Sequence, residues 1–434
     1  MATITSESLL AAINETVLSV EQAQEALLSQ TAEIATHKVA KATENARGHV
    51  YLKDSMGDEA TEDDATALTP KALKDFDTAN TNVIINVRDM LRAEIEAVSG
   101  GRNTIVRDAN GNPHVMVVIP KFRLQDIDAS LGTGVHPAFI AGGVEKPEIL
   151  IGKYAASKGA GNVPLTLPRK PIYSNIYVTG AVEKCRALGN GFCCVTNAMW
   201  SARALWLWKY FGGEEGEHVY YGNASGGLSN GGKEFLTGTL ANPALELGNG
   251  GLTLTGTGPV EWCDDGTPWG ICDLFGNAVQ YVSGLRVVAG EIQIIPDNDA
   301  ALAATDLGSE SSAWKAILED GTLVTPGTSG TLKYTHPDGE GISLTDGTSE
   351  YSTSRNHPFK DCGAGGLTVP GILKTLGLFP IASNVQGQLY FGGEAFDRAN
   401  YPVRGGALRL GPFALCFYLS RAASDVTFRV GYVA

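Results

Sequence analysis

Arg404-Gly405-Gly406-Ala407-Leu408-Arg409-Leu410-Gly411-Pro412-Phe413, continuing to Phe428-Arg429-Val430-Gly431-Tyr432, is the stretch whose reading decides the fold. It runs as an Arg-Gly-Gly turn, a short strand, a Gly-Pro break, an apolar run and a terminal strand. The chain ends two residues after Tyr432, so the fold is expected to close on its own C-terminal strand. Arg404 is expected to be buried, its five donors tying loops together. Gly405 and Gly406 permit close backbone approach. Asp273, Gly276 and Asn277, from a second Gly-rich stretch, are assigned the same structural work. Side chains after the glycines are expected to face outward: Ala407, Arg409, Leu410, Phe413, Phe417, Tyr418, Arg421, Asp425, Thr427 and Arg429. Aromatic and Arg side chains dominate interface energetics, which puts Phe417, Tyr418 and Arg429 first. Phe413 and Phe417 read equally well as core.

Composition sets bounds around this segment. At 434 residues the chain is long enough for two or three domains. Its 53 glycines and 18% charged residues indicate many tight turns and little long surface helix. A net charge of −14 repels phosphate backbones, which argues against nucleic acid as a partner. No apolar run is long enough to insert in a bilayer. The opening Met1-Ala2-Thr3-Ile4-Thr5-Ser6-Glu7 lacks a basic region before an apolar core, so no secretory signal is expected. The seven cysteines show no C-x-x-C spacing and read as small buried hydrophobes, with disulfides the alternative. The histidines form no metal-binding pair, so no metal and no cofactor is expected.

The N-terminal part reads as a connector. Leu10, Ile13, Val17, Val20, Gln24, Leu27, Thr31 and Ile34 alternate spacings of three and four, a heptad seam that needs partner helices. Packing on its own chain would also cover it. Thr43 to Leu52 carries Arg47-Gly48 before a short strand at 49–52. An acidic stretch follows, then Thr69-Pro70-Lys71, where Thr69 caps a helix that begins with Pro70. A second seam, Ile84, Val87, Leu91 and Val98 with Ile95 beside it, ends at Gly100-Gly101.

The body follows. Asp108-Ala109-Asn110-Gly111-Asn112-Pro113 is a turn between apolar runs, and Val115–Pro120 is a buried strand. Ala181–Gly189 reads as one helix. Thr196 is placed to cap a second that runs to Trp208, with Trp200, Leu205 and Trp208 as core. Gly270-Ile271-Cys272-Asp273-Leu274-Phe275-Gly276-Asn277 leads into a strand at Ala278–Val282.

These motifs carry two resemblances. The Thr-x-x-x-Arg-Gly segment, acidic linker and Thr-Pro-Lys start resemble one repeat of phage tail fibres. The Arg-Ala-Leu-Gly helix end, the Thr-x-x-x-Trp helix start, the Asp-Leu-x-Gly-Asn stretch and the Arg-Gly-Gly segment resemble the C-type-lectin-like domain. That domain occurs in formylglycine-generating enzymes and in the variable proteins of diversity-generating retroelements. The chain departs where Val279-Gln280-Tyr281 replaces the family's Trp-Glu-Trp.

The resemblances imply an α+β chain in four parts: an N-terminal coiled-coil connector at 1–41, a fibre-type module with a second helix at 42–101, a β-rich lead-in at 102–170, and a C-type-lectin-like receptor-binding domain at 171–434 with an insert at about 300–380. They further imply a non-enzymatic adhesin at a virion's tail-fibre tip, made in the bacterial cytoplasm. Its expected partners are a host cell-surface receptor (protein or glycan), tail or baseplate proteins, and further copies of itself, a trimer by family expectation. Three other readings are weighed. A structural tail protein would carry an inert cap. A formylglycine-type oxidase would need a late cysteine pair, for which only Cys362 and Cys416 offer themselves. A glycan depolymerase would need paired carboxylates in a groove, whereas Asp264-Asp265 reads as a solvated turn. The Glu-Pro-Asn and Trp-Asn-Asp calcium motifs of sugar-binding lectins are absent, and Asp297-Asn298-Asp299 reads as a turn before it reads as a cation site.

Overall fold

The computed structural model describes residues 52–53, 67–68, 89–211, 222, 252–351, 355–391, 400–406, 412–419 and 426–434. The chain divides into Met1–Val87 and Arg88–Ala434. In the first unit, β1 (Leu52–Lys53) pairs in parallel with β2 (Ala67–Leu68). The heptad helix expected over residues 10–34 and the helix start at Thr69-Pro70 lie outside the described residues.

The second unit opens with α1 (Met90–Ser99). Asp89 caps it by accepting from the Arg92 amide at 3.2 Å, and Gly100 closes it in the left-handed region at φ 61°. The described part of the second seam, Leu91, Ile95 and Val98, therefore lies in the larger unit, whose boundary is at 87/88 and not after residue 101; Ile84 and Val87 lie outside the described residues. The Asp108 turn joins β3 (Asn103–Arg107) to β4 (Pro113–Pro120) as an antiparallel hairpin. The Asp108 carboxylate accepts from the Asn110 and Asn112 amides and fixes the turn.

Two large sheets build this unit, beside two short two-stranded pairs at 140–145 and 157–165. The first has the order β6 (Phe192–Cys194), β19 (Val430–Tyr432), β5 (Glu148–Gly152), β4, β3. The C-terminal strand β19 thus lies between β6 and β5, antiparallel to both. Residues 102–170 are woven into the same sheet as the last strand and are not a separate lead-in.

The second sheet has twelve strands among the described residues. Its main path is β11 (Leu323–Val324), β10 (Lys315–Ile317), β9 (Glu291–Ile294), β8 (Leu285–Val288), β16 (Asn400–Gly406), β17 (Leu415–Leu419), β15 (Gln388–Phe391), β14 (Arg355–Pro358). Off this path β7 (Gly276–Tyr281) pairs with β16 and, in parallel, with β18 (Val426–Phe428). β12 (Lys333–Thr335) joins β9 to β13 (Ser343–Thr345). The stretch expected as an insert at about 300–380 therefore extends the central sheet.

Two helices cover the sheets. α2 (Val178–Arg186) packs beside β6. α3 (Asn197–Tyr210) begins where the Thr196 hydroxyl accepts from the Met199 amide at 3.0 Å. Nearly all of α3 is buried, Trp200, Leu205 and Trp208 included, so it serves as a central core helix. One apolar cluster centres on α3 and reaches Phe391, Phe413 and Phe417; a second joins α2, β6 and β18. The β16–β17–β18 region lies between the two and is covered on both faces, as the continuous apolar run Phe413-Ala414-Leu415-Cys416-Phe417 requires.

Candidate binding face

The C-terminal strands are held by buried arginines. Arg404 is 1% exposed. Its Nε and Nη2 donate to Asn197 Oδ1 at 3.2 and 2.6 Å, Nη1 donates to the Ala414 carbonyl at 3.3 Å, and Nη2 also reaches the Gly377 carbonyl at 3.2 Å. One guanidinium so ties β16 to the start of α3, to the segment before β17 and to the turn at Gly377. Burial pulls its pKa down to about 9, with no carboxylate partner among the described residues.

Arg429 joins the two sheets. Its Nε donates to Gln280 Oε1 at 2.9 Å, Nη1 to the Gly152 carbonyl at 2.8 Å, and Nη2 to the Cys272 and Asp273 carbonyls at 3.0 and 3.1 Å. Gln280 passes the connection on, donating to the Asp273 carbonyl at 2.9 Å. The departure from Trp-Glu-Trp thus leaves a side chain that both accepts from Arg429 and donates to the preceding turn.

That turn explains its own residue types. Asp273, Gly276 and Asn277 have φ of 53°, 80° and 59°, in the left-handed region that Asp, Gly and Asn tolerate best. Asn277 exchanges hydrogen bonds with the Thr253 backbone, accepting its amide at 2.9 Å and donating to its carbonyl at 3.1 Å. Asp273 accepts from the Gly256 amide at 2.9 Å, and burial raises its pKa. Gly405 has φ 69°, and a Cβ there would meet the Leu274 carbonyl oxygen.

The expected outward-facing set is corrected at four positions. Phe413, Phe417, Thr427 and Arg429 are all 1% exposed or less. Phe413 stacks on Phe359 and Phe417 on Phe391. Thr427 donates to the Tyr173 carbonyl at 3.0 Å. The cause is a strand layer covered on both faces, so alternation along a strand exposes neither side. Ala407, Arg409, Leu410, Arg421 and Asp425 lie outside the described residues; Tyr418 has only its backbone described, paired with Tyr401.

Strand register separates those remaining positions. The segment 407–411 leaves β16 at Gly406, whereas 420–425 leaves β17 at Leu419, opposite Asn400. Six residues of strand put these two departure points ~20 Å apart. The flanks of 392–399 and of 352–354 also fall at the Leu419 end, because Phe391 pairs with both Phe417 and Arg355. Three half-buried tyrosines, Tyr351, Tyr390 and Tyr401, belong to the strands and bridge near this end.

The Asp264-Asp265 turn is buried, contrary to the solvated reading. Asp264 and Asp265 are 2% and 9% exposed. Arg203 on α3 forks onto Asp264 at 2.6 and 2.8 Å and reaches Asp265 at 3.4 Å. Cys263 and Cys272 close this loop as a disulfide, so the all-thiol reading fails at these two positions; the other five cysteines are free and buried. Burial pushes the Cys362 and Cys416 thiols up to about 12, away from the thiolate that oxidase chemistry uses. In the 297–299 turn, Asn298 accepts from the Thr196 hydroxyl at 2.6 Å and donates to the Ala138 carbonyl at 2.8 Å, and Asp299 accepts from the Gly142 amide at 2.7 Å. Two of its three side chains are thus engaged in joining loops.

No protein-family model matches the chain, and no curated protein matches it. No helix among the described residues is long and apolar enough to cross a membrane.

Proposed function

We propose that this chain is a phage tail-fibre receptor-binding protein whose C-terminal body has the C-type-lectin-like fold and contacts a host surface molecule, protein or glycan. The observation that carries the reading is the scaffold of Arg404, Arg429 and Gln280. It fixes β16 and the start of β17 near Gly406, and the same strands run on to the Asn400–Leu419 end, where several connecting segments meet; a stiff frame behind a binding surface is what adhesion without an ordering penalty needs. The binding end is the one flanked by Asn400 and Leu419, with Tyr351, Tyr390 and Tyr401 near it and Arg421 and Asp425 in its connecting segment. Tyrosine gives large contact area at low entropic cost, and Arg supplies directed hydrogen bonds.

Multi-copy display belongs to the same reading. Leu91 and Val98 on α1 keep the seven-residue spacing of the second seam and are 42% and 65% exposed, which favours further copies of this helix as their cover. Several copies raise avidity without new contacts. The place in a virion, at the fibre tip, and diversification by a retroelement rest on the motif resemblances alone.

The test is adsorption of the labelled full-length chain to a panel of bacterial cells and isolated envelopes. Saturable binding to some envelopes, blocked by unlabelled chain, is expected. Binding to none, by protein whose circular dichroism shows it folded, overturns the reading and leaves the structural tail-protein alternative.

A further inference from the structure

Lys153 follows β5 and is buried, 6% exposed. Its ammonium donates to Asn103 Oδ1 at 3.0 Å, to the Gly270 carbonyl at 3.2 Å and to the Pro268 carbonyl. Asn103 is itself 2% exposed, and its Nδ2 donates to the Trp269 and Arg102 carbonyls at 2.7 and 2.9 Å. The amide plane is therefore fixed on both sides, with the lysine nitrogen against its carbonyl. The two residues come from strands on either side of β4. Asn103 pairs with Val117 and Gly152 with Met116, so the two side chains meet across one face of that strand.

We propose that Lys153 and Asn103 become covalently joined by an intramolecular amide, linking the first strand of the body to β5. The uncharged Nζ adds to the Asn103 side-chain carbon, Cγ. A proton passes from Nζ to Nδ2, the Cγ–Nδ2 bond breaks, and ammonia leaves. One primary amide and one amine become one secondary amide and one ammonia, with no change of oxidation state and no co-reactant. Held neighbours react as though at very high concentration, and that compensates for the poor electrophilicity of an amide.

The surroundings fit the proton traffic. Burial pulls the Lys153 pKa down to about 8, against the opposing pull of Asp264 and Asp265 and with a lowering contribution from Arg102. A sizeable uncharged fraction exists at mildly alkaline pH. The chemistry does not depend on the adhesin reading. In an adhesin, though, the bond would clamp the place where tension passing along α1 first reaches the sheet, since Asn103 begins β3 only four residues after Ser99.

The experiment is intact-mass measurement and peptide mapping of the full-length chain, before and after incubation at pH 8.5 under native conditions. A mass lower than the sequence mass by one ammonia is expected, together with a branched peptide containing both Asn103 and Lys153. Succinimide formation at Asn110-Gly111, Asn190-Gly191, Asn230-Gly231 or Asn249-Gly250 also expels ammonia, so the branched peptide decides. Lys153→Arg and Asn103→Ala are expected to abolish that peptide. If either variant fails to fold, Asn103→Asp provides the control, because its branched product is lighter by one water. Recovery of Asn103 and Lys153 only in linear, unmodified peptides from folded, incubated protein overturns the proposal.

Discussion

Arg203, on α3, and Arg404, bonded to the start of that helix, are both buried, yet they are accommodated in opposite ways. Arg203 meets two carboxylates, and their charge keeps its pKa raised despite complete burial. Among the described residues Arg404 meets amide and carbonyl oxygens, and its pKa falls to about 9. The first is a compensated ion cluster that pins the Cys263–Cys272 loop. The second is a cation held by dipoles, its fork reinforcing the junction that the Asn197–Leu376 hydrogen bond and the β16–β17 ladder also hold. The frame of the C-terminal strands thus depends on a group whose charge the fold penalises, whereas the disulfide loop depends on one that it neutralises.

Replacing one member of the ion cluster is the strongest way to break the comparison. Arg203→Met leaves two buried carboxylates facing each other, and a loss of ~3–5 kcal/mol in urea denaturation is expected. Adding Asp264→Asn should recover part of that loss, which a double-mutant cycle measures.

His136 sharpens the contrast, being a buried base that escapes the penalty by staying neutral. Its Nδ1 accepts from the Ala138 amide, so Nε2 bears the proton and donates to the Thr375 carbonyl at 3.1 Å. Burial lowers its pKa from 6.5 to about 4. The unfolded chain therefore protonates first: the contribution is fully present above pH 6.5 and is lost as the pH falls toward 4. The size is about 3 kcal/mol, read as the difference in unfolding free energy between pH 7 and pH 4 for wild type against a His136→Gln control.

Arg404→Met removes a cation from among neutral acceptors. Its cost is expected to be smaller than that of Arg203→Met, at ~2 kcal/mol, because carbonyls left with one free lone pair are tolerated better than bare carboxylates. An equal or larger loss would mean that the dipole-held arginine is the more critical of the two. Smallest for stability is Val98→Asp on the exposed seam, expected within ~0.5 kcal/mol. The same change should lower the oligomer order seen by sedimentation, a readout that stability does not move.

Local signals were readable in the chain and long-range ones were not. The cap at Thr196, the left-handed Gly100 and the Asp108 hairpin each depend on residues within a few positions, and the structure has them where spacing puts them. The Arg404 and Asp273 motifs likewise fall at the fold's junctions. Asp264-Asp265 misled because Asp-Asp-Gly-Thr-Pro has the composition of a solvated turn, while the arginine that buries it is 61 residues earlier. Phe413, Phe417, Thr427 and Arg429 misled because an outward face was assumed for strands that are covered twice. The run of apolar residues from 413 to 417 already held that information, since a half-exposed strand alternates. Pairing of Cys263 with Cys272 had no spacing signature; the turn between them brings the two together.

The most direct measurement is the affinity of the full-length chain for an envelope that binds it, compared between Arg421→Ala and Arg409→Ala. With the binding end at Leu419, Arg421→Ala is expected to weaken binding about tenfold, ~1.4 kcal/mol, and Arg409→Ala to leave it within about twofold. The opposite order, or no loss from Arg421→Ala, would contradict the placement of the site.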